Sequence, residues 1–184
     1  MTLTQTTAPS LLPVSLQDVK ANSRIDTDLE DEVIISFIRA AVARCERETG
    51  MAFAAQSWEY TTDAFPDGEI VIPMGPIGST VVVTYIDDDG DTVTVDAADY
   101  YVDTYSADGR IVPVDSWPTA AERPSAVKVA FTVGAASCPQ DVRQAIILMA
   151  SHWINHRETA DEKAPVEIPY GAGMLLSLHR RMFV

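Results

Sequence analysis

The chain has 184 residues, 47% hydrophobic and 22% charged, which supports one packed domain, or one with a sizeable insertion, and excludes wholesale disorder. Its 27 acidic against 13 basic side chains give a formal net charge of -14, which excludes nucleic-acid binding by neutralisation of phosphates over a basic face. No apolar run reaches the roughly 18–20 residues that cross a bilayer, so no membrane association is expected, and Met1 to Ser10 lacks the basic and apolar regions of a signal peptide.

Residues 1–13 are rich in Thr, Gln, Ser and Pro, show no period and are expected as a tail that orders only on a partner surface. Ser15 and Asp18 have the spacing of a capping box, with Val14 placed to staple onto Val19, so a short helix follows over Ser15 to Asn22. A long helix is expected from Leu29 to Thr49, capped by Asp28 and closed by Gly50. Leu29, Val33, Phe37, Ala41 and Cys45, with Ile34, Ile38 and Val42 beside them, make a wide apolar stripe on it.

Between Met51 and Gly134 the period changes to two. Strands are expected over 57–63, 69–72, 80–86, 92–95, 99–104, 110–112 and 126–133, with hairpin turns at Asp87 to Asp91 and Ser106 to Gly109. Short, evenly spaced strands suggest an antiparallel meander or a small barrel. Pro139 suits the first position of a second long helix, to Glu158. Val142, Ala145, Ile146, Met149, Trp153 and Ile154 form its core face, and Ile147 and Leu148 widen the apolar surface beyond one stripe, which calls for a second packing partner. Met174 to Val184 forms a last short helix or an extended tail, with the dense basic cluster His179-Arg180-Arg181. The fold class is therefore α+β: two long antiparallel helices with short helices over 14–50 and 135–168, an inserted antiparallel β subdomain over 51–134, and a C-terminal segment over 169–184.

Few side chains are grouped for chemistry. His152 and His156 share a helix face at the spacing that zinc sites use, but the glutamate of an HExxH motif is missing because Trp153 follows His152. The aspartates at 87, 88, 89 and 91 miss the calcium-loop pattern, since glycine falls fourth and the twelfth position is Ala98. Cys45 and Cys138 have no metal-ligand spacing and read as free thiols, a bridge between them being the alternative. No glycine-rich phosphate loop or GxSxG string occurs.

The order and spacing of several weak motifs together are informative. Val14-Ser-Leu-Gln-Asp-Val-Lys20, Arg24-Ile-Asp-Thr-Asp28, Ile38-Arg-Ala-Ala-Val-Ala-Arg44 and Glu48-Thr-Gly50 open the series. Gln56-Ser-Trp58, Phe65-Pro66, Ile72-Pro-Met-Gly-Pro-Ile77, Asp99-Tyr-Tyr-Val-Asp103, Trp117-Pro118 and Val127 to Gly134 follow. Pro139 to Met149, His152-Trp153, Arg157-Glu158 and Pro169-Tyr-Gly171 close it. From about Val14 to Arg181 the chain resembles the phage head–tail connector (adaptor) proteins, in the branch with a β insertion found in tailed phages and gene transfer agents.

The resemblance implies a helical connector core and a structural role without catalysis, cofactor or metal. Copies form a homo-oligomeric ring of about twelve beneath the portal protein, extend the DNA channel and receive a downstream stopper or terminator on the tail side. DNA passes without sequence-specific binding, since surplus acid along the channel lowers its adhesion. The location implied is the head–tail junction of a virion or gene transfer agent particle assembled in the bacterial cytoplasm. Met174, Leu175, Leu178, Arg180, Arg181, Met182 and Phe183 are the expected portal interface. Arg39, Arg44, Arg143, Ile147 and Leu148 are the expected subunit interface. A C-terminus folded back on its own helices is the competing arrangement. Competing functions are a small metal-dependent hydrolase using His152 and His156, and a monomeric β-domain binding module.

Overall fold

The structure, a computed structural model, describes residues 1–106, 108–134, 138–156 and 170–179. The chain divides into two compact units, a β unit of residues 1–10 and 54–135 and a helical unit of residues 11–53 and 136–184.

In the helical unit, α1 spans Leu16–Ser23, α2 Asp31–Thr49, α3 Gln140–Asn155 and α4 Tyr170–Ser177. The capping box forms as the spacing requires: Ser15 Oγ accepts from the Asp18 amide, and the Asp18 carboxylate accepts from the Ser15 amide. Val14 and Val19 are both buried in the core beneath it. The long helix begins two residues later than expected, and Asp28 does not cap it. Asp28 instead takes Lys20 Nζ at 2.6 Å, and Lys20 also reaches Asp31 at 2.8 Å, so a cation eight residues upstream outcompetes the cap. Gly50 closes α2 with φ 68° and donates to the Glu46 carbonyl. Ile34, Ile38, Ala41, Val42 and Cys45 of α2 meet Val142, Ala145, Ile146 and Met149 of α3 in one core. Pro139 sits at the N-cap of α3 rather than inside it.

The β unit has two antiparallel sheets. Its strands are β1 (Thr2–Thr7), β2 (Gln56–Thr62), β3 (Ile70–Ile72), β4 (Ile77–Ile86), β5 (Thr92–Thr94), β6 (Tyr100–Asp103), β7 (Gly109–Pro113) and β8 (Val127–Val133). One sheet has the order β1-β2-β8-β4-β5 and the other β3-β7-β6. This corrects the meander expectation, because the last strand lies between β2 and β4. The reason is its regularity: Val127, Val129, Phe131 and Val133 are buried while Lys128, Ala130 and Thr132 are exposed, and both edges pair, with β2 along the whole strand and with β4 across one irregularity between Ile77 and Val81. Tyr100 of the second sheet donates its hydroxyl to the Val81 carbonyl of β4 at 2.8 Å.

The N-terminal tail is also corrected. Residues 2–7 form an edge strand, with Leu3 opposite Tyr60 and Thr4 opposite Glu59. Backbone ladder bonds and the contact of Gln5 Nε2 with buried Gln56 Oε1 hold it. Leu3 alone in this strand is even half-buried, so no apolar period could announce it.

Candidate functional site

The C-terminal helix has two apolar faces. Ala172 and Leu176, four residues apart, are buried in the helical core, and Leu175 packs against it at the boundary. Tyr170, Met174 and Leu178, at the same spacing on another face, are 83%, 58% and 76% exposed. The segment is tied down at its end, where His179 Nε2 lies 2.5 Å from Asp141 Oδ2 in the first turn of α3. That contact is the leading cause holding the Asp141 carboxyl below its usual range. The described part of the C-terminus therefore folds back on its own helices. Met174 and Leu178 keep open surfaces, whereas Leu175 is mostly committed to the core. Arg180, Arg181, Met182 and Phe183 lie outside the described residues.

This packing accounts for much of the apolar width of α3. Ile147 and Leu148 are half-buried and pack against the core of their own unit, and Leu148 lies beside Gly171 of α4.

The expected interface arginines fall into two kinds. Arg44 pairs with Glu48 at 2.6 Å one turn along α2, and Arg143 reaches Asp18 of α1 at 3.4 Å. Arg39 is exposed and has no ion pair among the described residues. Arg47, which the sequence reading did not single out, is in the same situation on α2.

His152 and His156 stack with ring centroids 4.3 Å apart, and His156 Nδ1 lies 2.9 Å from the His152 carbonyl. Burial first, then the neighbouring His156, lowers the His152 pKa. Among the described residues no group of three His, Cys, Asp or Glu side chains could hold a metal. Cys45 and Cys138 are free thiols, pushed up by burial to about 12 and about 11. Such thiols are weak nucleophiles.

In the β unit the acidic turn builds its own backbone. Asp87 Oδ1 accepts from the amides of Asp89 at 3.1 Å and Asp91 at 2.9 Å, and Gly90 supplies φ 89°. Asp103 does the same work in the second turn, accepting from the amides of Tyr105 and Ser106. Phe65 stacks on Trp117 at 5.0 Å and meets Tyr85 edge-on at 5.7 Å, while Trp117 Nε1 donates to the Gly68 carbonyl. These aromatics anchor loops, as their polar ends require. Among the described residues no helix is long and apolar enough to cross a membrane.

The family model of head completion proteins matches residues 14–181. No curated protein matches the chain. Among solved structures, a chain from the neck of an empty gene transfer agent particle computed with C6 symmetry is 24% identical. It has a TM-score of 0.83, over 100% of this chain and 97% of that one. A chain from the virion of a native gene transfer agent particle gives 0.82 at the same identity and coverage. A chain from the neck of a native particle computed with C12 symmetry gives 0.74, again at 24% identity and with 100% and 97% covered. These likenesses establish a shared fold, including the β insertion.

Proposed function

The chain belongs to the head completion protein family, and we propose that it is a structural adaptor at the head–tail junction, a ring of copies beneath the portal. The ring extends the DNA channel and receives the next tail-side component. The observation that carries this reading is the match of the whole chain, both units together, to chains from the necks of gene transfer agent particles. Those necks were computed with C6 and C12 symmetry, which supports a ring of about twelve copies here. No step of the role needs catalysis, and the weak thiols and the stacked histidine pair fit that.

The docking face toward the portal is the open stripe Tyr170, Met174 and Leu178, continued by the sequence Arg180, Arg181, Met182 and Phe183. Apolar side chains anchor, and the arginines meet acidic portal side chains. Arg39, Arg44, Arg143 and the open parts of Ile147 and Leu148 face neighbouring copies. The test is to add the purified chain to DNA-filled heads that lack it and to image the portal vertex. A ring of this chain at the vertex, lost when Met174 and Leu178 are both changed to Asp, is the expected result. A bare vertex with the unaltered chain would defeat the adaptor reading, and a ring that survives both substitutions would defeat the docking face.

A further inference from the structure

Charge is divided unevenly between the units. The β unit holds 14 of the 27 acidic side chains and 3 of the 13 basic ones, so 11 of the 14 net negative charges belong to it. In a ring every copy meets another, and two β units placed face to face repel. A contact that joins the acidic unit of one copy to cations of the next removes that penalty.

Five cations among the described residues are already engaged within the chain. Lys20 is held by Asp28 and Asp31, Arg110 by Glu69, Lys128 by Glu59, Arg44 by Glu48 and Arg143 by Asp18. Arg39 and Arg47 are exposed and make no ion pair or side-chain hydrogen bond among the described residues. They stand on the face of α2 opposite Ile38, Ala41, Val42 and Cys45, which are buried. Arg44 lies at the rim of that face, and the exposed Ala40 and Ala43 between the arginines leave it low. The densest group of unpaired acids is the β4–β5 turn. Asp87 gives its carboxylate to the turn, while Asp88, Asp89 and Asp91 are exposed and have no cation among the described residues.

We propose that the outer face of α2, through Arg39 and Arg47, receives the acidic β4–β5 turn of a second copy of this chain. The interface is heterologous: a basic helix face on one copy and an acidic hairpin tip on the next, the arrangement that closes into a ring. The inference rests on the ring reading, to which it adds the two surfaces that meet and their polarity.

Three full-length variants test it on heads that lack the chain: R39E with R47E, then D88K with D89K and D91K, then all five together. Every altered side chain is exposed, and Asp87 is kept, so unchanged thermal midpoints are expected. Each reversal alone should lower the fraction of heads carrying a ring by roughly tenfold or more, since like charges then face one another. The fivefold variant, whose copies carry both reversals, should recover most of that loss. Rings formed normally by either single-surface variant would overturn the proposal while leaving the ring intact. Failure of the fivefold variant to recover would overturn the pairing of these two surfaces. Absence of any ring with the unaltered chain would overturn the ring reading, and this inference with it.

Discussion

Two leucines two residues apart should answer very differently to the same truncation. Leu176 is 1% exposed in the helical core and Leu178, just past the end of α4, is 76% exposed on its open side. Leu176→Ala removes buried methyl groups and leaves a cavity, at a cost of about 2–5 kcal/mol. Leu178→Ala leaves no cavity and should stay within about 0.5 kcal/mol. For a chain of this length each kcal/mol moves the midpoint by about 2–4 °C, so Leu176→Ala should melt on the order of 5–15 °C lower. Thermal melts followed by circular dichroism at the helical band read this directly, with joining of heads to tails scored in parallel. Leu176→Ala should lose stability first, whereas Leu178→Ala should weaken joining with the fold intact. Equal midpoints for the two variants would refute the two-faced reading of α4. Deletion of residues 174–184 does not separate docking from folding, because it removes Leu176.

Gly134 has φ +128°, and a Cβ there would lie 2.4 Å from the Ala54 carbonyl oxygen, which is backbone and cannot swing away. Gly134→Ala should therefore destabilise the β unit by more than about 1 kcal/mol, while Gly90→Ala, at φ +89° with open space around it, costs less; urea titration of both variants checks the order. His152 has a lowered pKa in the folded chain, so the unfolded chain takes the proton first as pH falls. Its contribution is intact above the ordinary histidine value of about 6.5 and is lost progressively below it. Midpoints measured from pH 7.5 to pH 5 should fall more steeply for the unaltered chain than for His152→Gln, and parallel slopes would remove His152 as the cause.

Legibility in the sequence followed how one-sided each element is. The last strand alternates without a break, so its span and its buried face were both readable, yet its place between β2 and β4 was not. Strand neighbours depend on pairings across about 40 to 80 residues, which local pattern does not encode. The first strand has solvent on nearly every side chain and so has no period. Asp28 had the type and position of a cap, but Lys20 lay eight residues upstream and the competition between them is tertiary. Arg44 with Glu48 was readable from the four-residue spacing. Nothing local separated Arg143, which finds Asp18, from Arg39 and Arg47, which find no ion pair among the described residues. The C-terminal helix hides its two faces in a segment where nearly every residue is apolar or small, so only the shape of α3 decides which face is inward.

The two surfaces proposed for contact are each built from few side chains. Stable interfaces between proteins bury about 1,200–2,000 Å². Three side chains on α4 and a basic stripe on α2 fall well short of that individually, and exposed ion pairs contribute little each. A copy meeting another in solution through one such contact dissociates quickly. On the proposed docking, a copy held at the portal by Met174 and Leu178 would meet its neighbour at high effective concentration, so the second contact would add to the first without new surface. If both proposed contacts are weak singly, the purified chain should sediment as a monomer until a head offers its vertex. The two proposed contacts should then be interdependent: loss of the arginine face should lower occupancy of the portal, and loss of the apolar stripe should lower ring closure, even though neither substitution touches the other surface.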